Sequence, residues 1–427
     1  MDCFANDREA LNDFAKYYNN TFLSDISISV GDKIFAAHRI ILAKNSDVFA
    51  QMLSEKWNGD KKELELIEEP ACQQAFDAFL RFLYCNHIFL QAENALPLLI
   101  LADKYNVTSL RNACIDYAIN KILPDLSMKD LFHVWFSYAT KTYHERLMRA
   151  CIKVLAWHFE DMIMSEEWEK EWLSMDQDQL IELLKSNDLV LPNEFGLWKA
   201  IHKWLMAPSH PERNGSDISA LLAAILPLIK FSFMTAEELI LVERSPLVES
   251  HQELFQPQIL LAYKFQALSL ASRANCKEFS GSQFILRNYT DVRWDKRVTI
   301  PVSDLVYEKV TSYIYNLTTR SSTYPMTPWN WKLKMGSQLL MNSRDKVRIY
   351  LIADDIDQPR CIEYLIQIIN DKQVLRSFTC KKNFSKARYS TDIEIQKELD
   401  LIELLGDNSL LVVNNELHLQ ITLRPID

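Results

Sequence analysis

Asp25-Ile26-Ser27-Ile28-Ser29-Val30-Gly31 is followed by Phe35-Ala36-Ala37-His38-Arg39-Ile40-Ile41-Leu42-Ala43 and then by Asn45-Ser46-Asp47-Val48-Phe49. The first run alternates apolar and polar residues, the pattern of a half-buried strand over Ser24–Val30. Gly31-Asp32 suits a tight hairpin turn, and Lys33–Ala37 the returning strand. Arg39–Ala43 and Asp47–Leu53 read as short helices. Ser46 is placed to cap the second, because its hydroxyl can accept a free backbone N–H.

Working outward, Glu63–Ile67 alternates again. Ala75 to Tyr84 carries apolar residues at helical spacing, and two further helices are expected over Glu93–Tyr105 and Thr108–Ile122. Pro97 is read near the start of the first of these, where its missing N–H costs little. This order of elements resembles the BTB/POZ domain. The matching residues are Asp25, His38-Arg39 with Leu42-Ala43, Ser46 with Phe49, Phe82-Leu83-Tyr84, Ala102-Asp103-Lys104-Tyr105, and Leu110 with Cys114. Each match is common alone; their order over about a hundred residues carries the resemblance.

From Pro124 to Ala271 the pattern is helical almost throughout, broken by the loop Pro208 to Ser216. Leu221-Leu222 and the run Ile229 to Leu239 resemble the signature of the BACK domain, which follows BTB in many adaptor proteins. Thr235 and Glu238 fit a capping box. Ser272 to Gly281 is polar and reads as a linker. Beyond it the period shortens: Trp329–Lys334, Val347–Ala353, Tyr364–Ile369, Gln373–Phe378 and His418–Leu423 read as strands, a β-sandwich pattern. Trp329 to Pro425 resembles a TRAF-like (MATH) sandwich. The expected fold class is therefore multidomain. An α+β BTB/POZ domain is expected over residues 1–123, an all-α BACK domain over 124–272 and an all-β TRAF-like sandwich over 273–427.

Composition narrows the function classes. The chain has 427 residues, 48% hydrophobic and 24% charged, and a net charge of −10, which disfavours binding through phosphate neutralisation. Lys381, Lys382, Lys386 and Arg388 form a small basic group, read as a solvated loop. No apolar run is long enough to span a membrane. Met1 to Arg8, with Asp2, Asn6 and Asp7, does not read as a secretory signal. A cytoplasmic address is expected, with a nuclear one left open. Eight cysteines without a C-x-x-C pair are expected to be reduced, most of them buried. Asn106, Asn288 and Asn316 begin N-x-S/T triplets, which carry meaning only in a secreted chain.

Enzyme chemistry finds little footing. The seven glycines are isolated, so no Gly-rich loop can bring backbone N–H groups around a phosphate. No H-E-x-x-H or zinc-spaced Cys/His set occurs, and no G-x-S-x-G elbow. His133 and His144 read as satisfied or surface histidines. Glu167, Glu171 and Asp176 read as one solvated acidic helix face. No enzyme activity, cofactor or metal is expected.

Docking surfaces are what remain. The resemblance implies a homodimer with C2 symmetry, in which a segment ahead of the first strand packs on its partner. Leu11, Phe14 and Tyr17 carry the apolar spacing there, and Arg39 and Ile40 on the first BTB helix would add to it. The plain alternative is that Phe14 and Tyr17 pack on their own domain. The resemblance also implies a charged pocket near the dimer axis, formed by Asp25 and Arg39, with those two as a natural ion pair.

It further implies docking of a cullin-3 scaffold. The residues carried over are Met52, Leu53, Trp57, Gly59, Asp60 and Tyr105, with Trp57 the apolar anchor and Gly59 standing where the family has glutamate. Here the alternative is that Met52, Leu53 and Trp57 cover the BTB core. The C-terminal sandwich would recruit an unidentified protein substrate. Trp294, Trp329 and Trp331 are large aromatics there, with core positions expected for at least two. The expected function is a substrate-recruiting adaptor of a cullin-3 ubiquitin ligase; the competing reading is an oligomerising scaffold without a ligase role. Neither nucleic acid nor membrane is an expected partner.

Overall fold

A computed structural model describes residues 14–54, 61–215, 218–303, 313–322, 327–337, 346–354, 356, 358–386, 390–393, 399–400, 403–404, 406 and 409–426. The chain divides into two compact units, residues 1–154 and 155–427.

The first unit begins with a three-stranded sheet in the order β2-β1-β3: β1 (Ile26–Val30), β2 (Lys33–Ala37) and β3 (Glu63–Leu66). β1 and β2 form the expected antiparallel hairpin, Ile28 opposite Phe35, while β3 joins β1 in parallel. Ile26, Ile28 and Val30 point into the core. Gly31 makes the turn with a φ of +56°, and a Cβ there would stand 2.5 Å from the Gln73 side-chain oxygen. Only glycine adopts that backbone without cost.

Five helices build the rest of this layer: α1 (Arg39–Asn45), α2 (Asp47–Met52), α3 (Pro70–Cys85), α4 (Ala92–Lys104) and α5 (Thr108–Tyr117). Ser46 caps α2 as its residue type predicts, its Oγ accepting the Phe49 N–H at 3.0 Å. Pro97 lies six residues into α4 rather than at its start. α5 ends at Tyr117, earlier than expected. The chain then continues as a wider π-helical turn, Ala118–Ile122, and a 3₁₀ turn carrying Pro124. Proline cannot donate the next helical hydrogen bond, so regular helix cannot continue there. The unit's remaining helical segments are Met128–Asp130, a π-helical Leu131–Phe136, Ser137–Thr142 and α6 (Glu145–Trp157), within which the unit closes at Val154.

In the second unit the principal helices are α7 (Gln177–Leu184), α8 (Glu194–Leu205), α9 (Ile218–Ile225), α10 (Ala236–Glu243), α11 (Gln252–Ala267) and α12 (Leu270–Asn275). Thr235 and Glu238 form the expected capping box at α10. Asp176 caps α7 and Glu171 is buried, so the acidic stretch is not one solvated face. The Trp172 and Trp204 indoles donate to the Ala200 and Met175 carbonyls, both at 2.9 Å, so these buried rings leave no orphan N–H.

Two strands of two residues, β4 (Val190–Leu191) and β5 (Asn288–Tyr289), pair in parallel. The β region then forms two antiparallel sheets. One runs β11-β10-β14-β6, from β6 (Asp295–Pro301), β10 (Arg360–Ile369), β11 (Val374–Phe384) and β14 (Glu416–Pro425). The other runs β12-β9-β8-β7, from β7 (Tyr313–Thr319), β8 (Trp329–Ser337), β9 (Lys346–Asp354) and β12 (Ser390–Ile393), with β13 (Leu399–Asp400) on β9. Trp331, Leu333 and Leu351 of one sheet share a core with Ile362, Ile366 and Leu419 of the other, which makes the region a β-sandwich.

β10 is buried on both faces, only Cys361 being exposed. Its second face lies under helical segments of the same unit: the Ala271 N–H donates to Glu363, and Gln420 on the neighbouring β14 accepts from the Leu286 N–H and donates to the Phe284 carbonyl. The polar stretch from Ser272 is accordingly no free linker. It folds as α12 and a 3₁₀ turn, Lys277–Ser280, with Phe279 buried. Lys381 and Lys382 lie on strand β11 rather than in a loop, and Arg388 falls outside the described residues. Cys72, Cys85, Cys114 and Cys151 are buried free thiols, whereas Cys361 and Cys380 are exposed. Among the described residues no helix is long and apolar enough to cross a membrane.

Candidate interaction surfaces

A large apolar side chain left in water forgoes about 1.5–3 kcal/mol of burial. The first unit leaves several together. Phe14 is 47% exposed and Ile40 78%, with Phe22 and Leu23 more than half exposed. Tyr17 sits between the Phe14 and Phe22 rings, with centroid separations of 6.5 and 6.3 Å. Lys44, one turn beyond Ile40 on α1, lies 5.8 Å from the Phe14 ring, so Phe14 flanks the side of α1 that carries Ile40. His38 locks the arrangement. Its ring meets the Tyr84 hydroxyl at 3.0 Å and the Phe22 carbonyl at 2.9 Å. Leu11 lies outside the described residues. Phe22 and Leu23 escaped the sequence reading because they precede the first strand and belong to no periodic run.

Asp25 and Arg39 meet, but not as a buried ion pair. Asp25 is exposed, and its Oδ1 accepts the backbone N–H of Arg39 at 2.8 Å. The guanidinium turns away to donate to the Leu53 carbonyl at 3.1 Å and to the Lys61 carbonyl. The acid thus holds the start of α1, and the base ties α1 to the chain beyond α2.

The residues carried over for cullin docking separate. Tyr105 is 1% exposed and belongs to the core. Its ring stacks on Phe49 at 4.5 Å with planes 6° apart and also meets Phe79, and its hydroxyl donates to the buried Glu68 carboxylate. That burial and that bond both push its phenol well above the ordinary range. A side chain so enclosed has no surface to offer a partner. Leu53 is likewise buried and Met52 half-buried. Trp57, Gly59 and Asp60 lie outside the described residues.

A polar hub that no spacing rule announces stands at the C-terminal end of α4. Asp103 accepts from Arg111 Nε at 2.5 Å and from Tyr138 Oη, and its Oδ2 lies 2.6 Å from His144 Nε2. These partners are 8, 35 and 41 residues distant, so only the tertiary fold assembles them. His144 is thus a satisfied histidine. In the sandwich, Trp329 and Trp331 are core residues and Trp294 packs partly buried against them. Among the described residues, no group of three or more His, Cys, Asp or Glu side chains is arranged to hold a metal.

Comparison with known proteins fits this architecture. Residues 14–122 match the BTB/POZ domain family, and residues 132–242 match the BACK family, BTB And C-terminal Kelch. BTB/POZ domain-containing protein 17 of Homo sapiens is 30% identical over 267 residues, covering 61% of this chain and 51% of that protein. Galectin-3-binding protein of Rattus norvegicus is 25% identical, covering 69% of this chain and 49% of that protein. Kelch-like protein 8 of Mus musculus is 27% identical, covering 51% and 33%. The chain spans about half the length of the first two relatives.

Proposed function

This chain is a BTB–BACK protein, with the two domains in that order, and on that premise we propose that it is a homodimeric adaptor that recruits a protein substrate to a cullin-3 type ubiquitin ligase. The observation that carries the dimer is the exposed apolar face of Phe14 and Ile40, extended by Phe22 and Leu23, with Tyr17 half-buried between the Phe14 and Phe22 rings. An isologous contact would bury that face against its own copy. In this reading three modules share the work, residues 1–123, 124–272 and 273–427. The third is a TRAF-like sandwich that takes the substrate, and two copies per assembly raise avidity through effective concentration. The similarity to a Kelch-like protein supports the ligase role; the similarity to galectin-3-binding protein keeps an oligomerising scaffold as the second reading.

The test is binding of the purified N-terminal domain of cullin-3 to the full chain and to Trp57→Ala. Tyr105 is unsuited to such a test, since it is buried and its truncation would destabilise the core. Saturable, stoichiometric binding that weakens at least about tenfold in Trp57→Ala supports the ligase adaptor, because interface anchors of this type carry much of the affinity. A folded, dimeric wild type that does not bind cullin-3 rejects that role and leaves the scaffold.

A further inference from the structure

Directly after the residues that match the BACK family, which end at 242, α10 leads through the short helix Pro246–Ser250 into α11. The three helices border an open groove of about 340 Å³. Its floor is apolar, from Val248 and Ile259, both buried. Gln252, Gln256, Leu260 and Tyr263 succeed one another along one side of α11 and form its wall. Glu243, at the end of α10, completes the lining, and the Tyr263 hydroxyl donates to its Oε2 at 3.0 Å. Two large apolar side chains here are left in water. Leu260 is 68% exposed, and Ile240, one turn before Glu243 on the same side of α10, is 40% exposed.

The surroundings are acidic. Residues 236–263 carry five glutamates against one arginine, Arg244, and no lysine. Glu237, Glu243, Glu249 and Glu253 are exposed, and Glu249 and Glu253 adjoin the lining residues Val248 and Gln252 in the chain. None of these four carboxylates forms an ion pair among the described residues. Lys264, the next cation along α11, pairs with Glu278 instead. An apolar floor ringed by unneutralised carboxylates favours an apolar segment that carries cations and repels one that carries acids. It also disfavours a second copy of the chain seated on the same face, since an isologous contact would set one acidic rim against the other.

We propose that this groove docks a basic amphipathic helix of a partner protein, with apolar side chains on Val248, Ile259 and Leu260 and lysines or arginines against Glu243, Glu249 and Glu253. The wall is a helix, whose backbone groups bond within it, so there is no sheet edge to which a partner strand could add; side chains alone make the contact. From Gln252 to Tyr263 the wall runs about 16 Å, three helical turns. That length suits a helix with anchors at i, i+3 or i+4, and i+7. The site shares no residue with the proposed dimer face or with cullin docking, so its test is independent of theirs.

The experiment selects binders of the full chain from a displayed library of random peptides of about twelve residues, a little over three helical turns. The double variant Glu243→Lys, Leu260→Ser serves for counter-selection. Selected peptides are synthesised and titrated by fluorescence anisotropy against wild type and each single variant, with circular dichroism as the fold control; both substitutions fall on exposed side chains. The expected result is enrichment of peptides with net positive charge and apolar residues at i and i+3 or i+4. Their saturable binding should weaken on the order of tenfold in each single variant, and the effect of Glu243→Lys should shrink as salt is raised. No enrichment over the counter-selection, enrichment of acidic or uncharged peptides, or affinity unchanged in either variant overturns the proposal. Loss of self-association of the full chain in Leu260→Ser would assign the groove to a second copy and overturn it as well.

Discussion

Glu194 shows how much one side chain can depend on the fold around it. It is fully buried, with Arg287 Nη1 donating to both its oxygens at 2.7 and 2.9 Å, the Tyr289 hydroxyl at 2.8 Å and the Lys230 backbone N–H at 3.1 Å. Burial works against its charge, but Arg287 and then Lys230 outweigh that and hold the carboxyl below its ordinary value. Removing the carboxylate leaves the buried Arg287 guanidinium without its counter-charge. Glu194→Gln should therefore cost about 3–5 kcal/mol in urea unfolding of the full chain; a loss under about 1 kcal/mol would contradict this account. The sign with pH follows. A carboxyl with a depressed folded pKa contributes stability above its unfolded value, about 4.3, and loses it as the pH falls through the folded value. Wild type should lose stability on acidification below about pH 4.3, and Glu194→Gln should lose less over the same window. Tyr105 makes the companion case. Tyr105→Phe keeps the ring stack and deletes the bond to Glu68, for a loss of about 1–3 kcal/mol, while Tyr105→Ala should cost about 3–5 kcal/mol, both read by urea denaturation. A Tyr105→Ala protein of wild-type stability would return the residue to the surface. At this scale the sequence shows residue type only: nothing in it marks the buried Tyr105 from an exposed tyrosine.

Short elements of the first unit obey local rules, and these were legible. The alternation in β1, the glycine turn and the Ser46 cap are all decided within four residues, so the chain's own spacing suffices to reveal them. Ser46 has a further role that spacing hides, since its hydroxyl donates to the Tyr105 carbonyl at 2.5 Å and so ties α2 to the end of α4. Ser46→Ala loses both the cap and the tie, and should lower stability by about 1–2 kcal/mol in thermal or urea unfolding. The face of α1 behaves oppositely. Ile40 is 78% exposed, so Ile40→Asp should change the stability of an isolated subunit by less than about 0.5 kcal/mol. The same change should shift the proposed dimer to monomer in sedimentation velocity, since it would place like charges at a two-fold contact. A dimer of undiminished strength in Ile40→Asp would move the interface elsewhere.

The whole chain holds together differently in its two units, and the second is where helices and sheets become inseparable. Arg287, on the segment leading into the sandwich, also donates to the Leu184 and Leu228 carbonyls at 2.6 and 2.9 Å, and Asn187 donates to the Asp371 carbonyl at 2.9 Å. Cutting after residue 272 would expose the second face of β10 and leave Glu194 without Arg287. Residues 1–272 expressed alone should therefore aggregate or unfold less cooperatively than the full chain; a soluble, cooperatively folded fragment would refute the helix–sheet dependence. Read from sequence alone, Ser272 to Gly281 is a linker because its residues are polar, and polarity is all that local pattern can weigh. The sequence by itself determined what depends on near neighbours: the hairpin, the caps, the helical middle, the β-rich end and the BTB–BACK order. Only the tertiary structure decided which polar residues are buried and paired and which aromatics face water. Those properties arise from residues tens to more than a hundred positions apart in the chain, and packing alone brings them into contact.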